Sequence, residues 1–182
     1  IYVSGRAPRV KLQPLIHGGG HEGGVRSGTL NVPGIVGLGE AIESAEQMRT
    51  QEERRLGHLR DKLERNLLSI EETYLNAQST TRLSHVSNMR FAHVAGEALM
   101  ASFQQQMAVA SGSACTSADP DPSHVLMCMG LSRNEAKSSL RFSLGRMTTD
   151  KEIDLAVELV RSGVESLRAA SPSWQMFRDG LI

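Results

Sequence analysis

Cysteine is scarce in this chain, aromatic residues are few, long apolar runs are missing, and neither charge sign is in excess. Two cysteines in 182 residues, Cys115 and Cys128, make no disulfide framework, so reduced thiols and a reducing, cytoplasmic setting are expected. No stretch approaches the roughly 20 apolar residues that a membrane-spanning helix needs, and the N-terminus lacks the basic-then-apolar layout of a signal peptide. No membrane partner is expected. Lysine plus arginine equal aspartate plus glutamate at 20 each, which leaves no long-range field to gather nucleic acid or an anionic surface. The length suits one sizeable domain, or a domain with part of another. The opening "IYVSGRAPRVKLQP" starts on β-branched and aromatic residues like the end of a strand, so residue 1 is expected to be an interior point of a longer protein.

Glycine, by contrast, is concentrated. Seven glycines fall within "LIHGGGHEGGVRSGTLNVPG", residues 15–34, which excludes a long helix or an ordinary strand and predicts a shaped loop. Pro33 then suits an early helical position, and Ile35, Leu38, Ala41, Ile42 and Ala45 share one helical face. Leu56, Leu59, Leu63, Leu67 and Ile70 continue the spacing, as one long helix or two joined near Met48–Gln51. A shift from glycine-rich to charge-rich composition places a domain boundary there, giving regions 1–48 and 49–182. Downstream, "LSHVSNMRFAHV" reads as a strand, "AGEALMASFQQQ" as a helix, "MAVASG" as a strand, Ser123–Met129 as a helix and "SSLRFSLG" as a strand. The last strong pattern is a helix capped by Thr148 or Thr149, with Ile153, Leu155, Ala156, Leu159, Val160, Val164 and Leu167 facing a core. Helices and strands in this order predict an α+β domain from residue 49 onward.

Several residues could carry chemistry. Cys128, within "VLMCMGL", reads as a small core hydrophobe. Cys115, within "SGSACTSA", sits among small polar residues after a strand and before a Pro/Asp turn, which suits either a buried filler or an exposed reactive thiol. His17 and His21 stand four apart, but three glycines between them oppose the helix that would aim both at one metal, so no metal site is expected. The loop "HEGGVRSGTL" offers backbone NH groups, Arg26, Ser27 and Thr29 ahead of a helix, a set able to meet an anion such as phosphate. Arg141 lies in a strand otherwise made of small and apolar residues, where a guanidinium serves either as a carboxylate partner or in a structural ion pair.

Taken in order, "HGGGHEGGVRSGT", "ASGSACTSA", "SSLRFSLGR" and "SPSWQMF" resemble the IscS/NifS-type cysteine desulfurases, pyridoxal-phosphate enzymes of the aspartate-aminotransferase fold type. The resemblance covers essentially the whole chain. It implies an α/β, fold type I transferase, with residues 49–182 as the small C-terminal domain and residues 1–48 as the last piece of the cofactor-binding large domain. It implies that Cys115 is the nucleophile that takes sulfur from L-cysteine as a persulfide while alanine leaves. Arg141 then holds the substrate carboxylate, and Thr29 reaches the pyridoxal 5'-phosphate group of the partner subunit in a homodimer. Iron–sulfur scaffold and other sulfur-acceptor proteins are the implied partners, tRNA thiolation an implied destination, and a mitochondrial location is implied for a eukaryotic member. The Schiff-base lysine of such enzymes lies, in relatives, shortly before the strand matching "IYV", and none of Lys11, Lys62 and Lys137 matches its motif. The chain alone is therefore expected to be inactive. Two further readings stay open: a non-catalytic remnant or split-gene module acting in oligomerisation or partner binding, and a related enzyme acting on selenocysteine.

Overall fold

The structure is a computed structural model that describes residues 2–8, 10–111 and 122–181; Cys115 lies outside the described residues. The chain divides into two compact units, Ile1–Met48 and Arg49–Ile182.

In the first unit, Tyr2 and Val3 form no strand, contrary to the reading of "IYV" as a strand end. A strand needs a hydrogen-bonded neighbour, and none is present among the described residues of this unit. The glycine-rich segment contains only a short 3-10 turn, His21–Gly24. Helix α1 (Val32–Leu68) begins where the Asn31 side chain accepts a hydrogen bond from the Gly34 amide at 3.2 Å, satisfying one of the free amides of the first turn. Met48–Gln51 holds neither Gly nor Pro, and α1 runs through it unbroken. Within the first unit Ile35, Leu38 and Ile42 remain exposed.

The second unit is α+β. It contains β1 (Thr73–Leu75), β2 (Val86–Phe91), α2 (Gly96–Phe103), β3 (Ala110–Ser111), α3 (His124–Cys128), α4 (Arg133–Lys137), β4 (Ser139–Ser143), α5 (Asp150–Ala169) and α6 (Pro172–Arg178). The strands form one antiparallel sheet in the order β1-β2-β4-β3. Alternation along the strands separates two faces. Met89, Phe91, Leu140 and Phe142 enter the core, where they join Leu63 and Leu67 of α1, Leu99 and Phe103 of α2, and Ile153, Val160 and Val164 of α5. Two glycines allow the close approaches this layering needs. A Cβ on Gly163 of α5 would stand 2.7 Å from Ser102 Oγ and 2.8 Å from Leu99 Cδ1, and one on Gly96 would stand 2.6 Å from the Lys137 carbonyl oxygen.

The structure changes several expectations. Strands β2 and β3 are shorter than "LSHVSNMRFAHV" and "MAVASG" suggest, while β1, α4 and α6 have no counterpart in the sequence reading. Leu155 is exposed, because the buried stripe of α5 runs through Ile153, Ala156, Val160 and Val164. Cys128 is also exposed rather than part of the core. Helix α3 has only five residues and buries Leu126, and a residue two positions further along a helix points away from that side.

Capping boxes close two helices: Ser132 with Glu135 at α4, and Thr149 with Glu152 at α5. The backbone NH of Ser132 donates to Glu135 at 2.8 Å, and that of Thr149 donates to Glu152 at 2.8 Å. These bonds are the first cause holding both carboxyls below their ordinary value. A folded-state value below the unfolded one gives stability that is fully present above the unfolded pKa and is lost as pH falls through the folded value. Urea midpoints measured between about pH 5 and pH 3 are therefore expected to fall more steeply for the wild type than for an E135Q/E152Q double variant, whose amides do not titrate. Parallel pH curves for the two proteins would contradict this.

Candidate functional site

The sheet face away from the core is polar. Ser139, Arg141 and Ser143 alternate with the buried Leu140 and Phe142, and the antiparallel register puts Arg141 between Asn88 of β2 and Ala110 of β3. Arg141 is exposed and, among the described residues, has no hydrogen-bond or ion-pair partner. Its strand neighbour Ala110 is too small to cover it. A rigid strand thus presents a planar, permanently charged fork with its donors unspent, the form suited to a carboxylate. Strand β3 ends at Ser111, four residues before Cys115 in sequence, so the strand that flanks Arg141 also leads into the cysteine segment.

Several other cations in this unit are committed. Arg90 pairs with Glu135 and lies over the Tyr74 ring at 4.4 Å. The Tyr74 hydroxyl donates to Glu72, which raises its pKa above the ordinary tyrosine value. Lys62 of α1 bridges Asp154 at 2.7 Å and Asp150 at 3.3 Å on α5, and the Asp154 bond holds its ammonium above the ordinary value. Arg146 pairs with Glu52. Against this background Arg141 stands out as the strand cation without an internal role.

Within the first unit, the glycine loop is tied by its own side chains. Arg26 donates to the carbonyls of Gly28 at 2.9 Å and Thr29 at 3.1 Å, and the Ser27 hydroxyl donates to the Gly19 carbonyl. Gly28 has φ +106°, a conformation that residues with a Cβ rarely adopt, and a Cβ there would meet the Arg26 guanidinium at 3.1 Å. Arg26 and Ser27, which the sequence reading offered to an anion, therefore shape the loop. The Thr29 hydroxyl is exposed and carries no hydrogen bond among the described residues. No group of three or more metal-ligating side chains occurs among the described residues. No helix there is long and apolar enough to cross a membrane.

The Asn88 side chain beside Arg141 was not singled out from the sequence. Its role depends on cross-strand register, for which no local motif exists.

The second unit is thus a small antiparallel sheet backed by helices on one face, with a strand arginine on the other that has no partner among the described residues. Residues 4–156 match the family model described as Aminotransferase class-V, and the chain belongs to that family. Over 181 residues it is 51% identical to the cysteine desulfurase IscS of Haemophilus influenzae and 49% identical to that of Shewanella baltica. Both alignments cover all of this chain and 44% of the relative, so the chain spans less than half the length of these proteins. The X-ray structure of a NifS-like protein from Rickettsia africae superimposes with a TM-score of 0.74 at 29% identity, covering 86% of this chain and 41% of that one.

Proposed function

We propose that this chain is the carboxylate-binding and sulfur-accepting portion of a pyridoxal-phosphate-dependent cysteine desulfurase, which converts L-cysteine to L-alanine and a protein persulfide. One observation carries the reading: Arg141 stands exposed on β4 with no partner among the described residues, beside the strand that leads in sequence toward Cys115. The guanidinium accepts the substrate α-carboxylate as a two-point contact and so fixes the orientation of the rest of the amino acid. Cys115, as thiolate, attacks the substrate sulfur. The new bond is S–S, the substrate's C–S bond breaks, and alanine leaves. Pyridoxal 5'-phosphate, when bound, supplies the electron sink for this cleavage.

The residues present fit one edge of that cofactor. Thr29 offers a hydroxyl with no hydrogen bond among the described residues, in a loop where Arg26 and Ser27 are engaged internally, and we assign it to the phosphate of the cofactor in the partner subunit of a homodimer. The persulfide is then passed to acceptor proteins, an iron–sulfur scaffold among them. A reducing, cytoplasmic setting keeps both thiols available.

Mass spectrometry of the full-length protein after brief exposure to L-cysteine tests the reading. The peptide containing Cys115 is expected to gain one sulfur atom, while the peptide containing the exposed Cys128 remains unmodified. Sulfur on Cys128 alone, or on neither, would overturn the assignment.

A further inference from the structure

The row of side chains beside Arg141 contains a proton-ordered chain of polar groups. Ser139 Oγ lies 2.8 Å from the Glu135 carbonyl oxygen, which can only accept, so the hydroxyl's single proton is spent there. Asn76 approaches the same Oγ at 3.0 Å. That oxygen can now only accept, so the Asn76 atom facing it is the amide nitrogen. The same Nδ2 stands 2.6 Å from the Asn88 side chain, whose facing atom must in turn be Oδ1. Asn76 and Ser139 are 7% and 1% exposed, which leaves little room for water to scramble the order. The Asn76 amide also donates to the Asn88 carbonyl at 2.9 Å, locking the pair through the backbone.

The consequence falls on Asn88. Its oxygen is turned toward Asn76, so its NH2 group faces away, with neither hydrogen claimed among the described residues. Asn88 is the cross-strand partner of Arg141, and directly opposed residues share a face with Cβ atoms about 5 Å apart. An amide NH2 and a guanidinium are both pure donors and cannot satisfy one another. Side by side, they call for one acceptor with two oxygens.

We propose that Asn88 is a second substrate-binding residue, whose NH2, held outward by Asn76 and Ser139, donates to one oxygen of the substrate carboxylate while Arg141 takes the other. Asn76 and Ser139 are positioning residues that act through it. The inference rests on Arg141 being the carboxylate site. The neutral amide adds a directional donor without adding charge, so it distinguishes a planar carboxylate from a generic anion.

The test uses the full-length, cofactor-loaded protein. N88A is expected to raise KM for L-cysteine about tenfold with kcat within about twofold of wild type, as befits loss of a hydrogen bond to a charged group. N88D, which sets a carboxylate against a carboxylate, is expected to raise it about a hundredfold. N76A frees the amide to turn and is expected to cost about threefold, and cysteamine, which lacks the carboxylate, is expected to be insensitive to all three variants. A crystal structure of the wild-type protein with L-alanine provides a readout independent of turnover and of any folding defect: Asn88 Nδ2 is expected about 3 Å from a carboxylate oxygen. If R141Q leaves KM for cysteine unchanged, the carboxylate reading itself fails. If R141Q raises KM while N88A does not, or the Asn88 amide lies beyond about 4 Å from the bound carboxylate, the inference about Asn88 alone is overturned.

Discussion

Replacing Cys115 with alanine in the full-length protein is expected to abolish sulfur transfer: sulfide and alanine release from L-cysteine should fall by about a thousandfold or more, roughly 4 kcal/mol of barrier, while cofactor absorbance is retained. The size of the effect follows from the chemistry. In the proposed mechanism Arg141 would orient the substrate by its carboxylate but would provide no electron pair for its sulfur, and water is a poor nucleophile toward a sulfur atom. Cys128 cannot take over the task. Although exposed, it belongs to helix α3, which begins at a side-chain cap from Ser123 and is pinned by the buried Leu126. A residue fixed on a helix lacks the travel that picking up sulfur and delivering it elsewhere requires. Cys128→Ala is accordingly expected to leave turnover within about twofold of wild type. Steady-state sulfide assays on the two variants separate the thiols. Substantial turnover by the Cys115→Ala protein would remove the nucleophile from the mechanism.

The parts of the fold that were legible in the sequence are those whose signal is local and long. Helix α5 announced itself through Thr149, the acidic first turn and the apolar stripe, and misled only at Leu155, where spacing alone cannot say how wide the buried stripe is. Helix α1 was legible as a periodic run, and its continuity through Met48–Gln51 follows from the lack of a breaker there. Strand β1 is three residues long and helix α4 five, too short for any period to emerge. Cys128 sits in an apolar run, and composition alone cannot tell the buried side of a five-residue helix from its exposed side. Arg141 was visible because a charged residue interrupts an otherwise small and apolar strand. Asn88 was not, because its meaning lies in Asn76 and Ser139: Asn76 is 12 residues from Asn88 and 63 from Ser139 in sequence, and the three are brought together only by register.

Arg168→Met is expected to destabilise the protein by about 4 kcal/mol, more than most single substitutions. Arg168 is 5% exposed, and among the described residues its guanidinium pairs with no carboxylate. It donates to the carbonyls of Glu71 at 2.6 Å, Glu72 at 3.1 Å and Ala92 at 3.0 and 3.1 Å. Burial lowers its pKa from the ordinary arginine value, so the site carries a desolvation cost that those carbonyls offset. The turns it ties are strained: Glu72 has φ +49° and His93 φ +63°, positions that residues with a Cβ seldom occupy. The opposite side of the guanidinium lies over the Trp174 ring at 4.4 Å, and Trp174 packs with His93 and Phe177 at centroid distances of 5.6 and 5.4 Å. One side chain therefore joins the turn before β1, the turn after β2 and helix α6. Methionine fills the volume but leaves the Ala92 carbonyl without a donor, leaves the Glu71 and Glu72 carbonyls to the Thr73 hydroxyl at 3.4 Å and the Ala92 amide at 3.0 Å, and removes the cation from the ring face. Lysine keeps the charge but not the fork, and is expected to cost about 2–3 kcal/mol. Trp174 is the sole tryptophan, so its emission reports on α6 directly during urea unfolding, while far-ultraviolet circular dichroism reports on the whole. A lowered midpoint by both probes is the expected result for Arg168→Met. A loss below about 1 kcal/mol would show that the Ala92 carbonyl finds another donor and that the strained turns hold without the arginine.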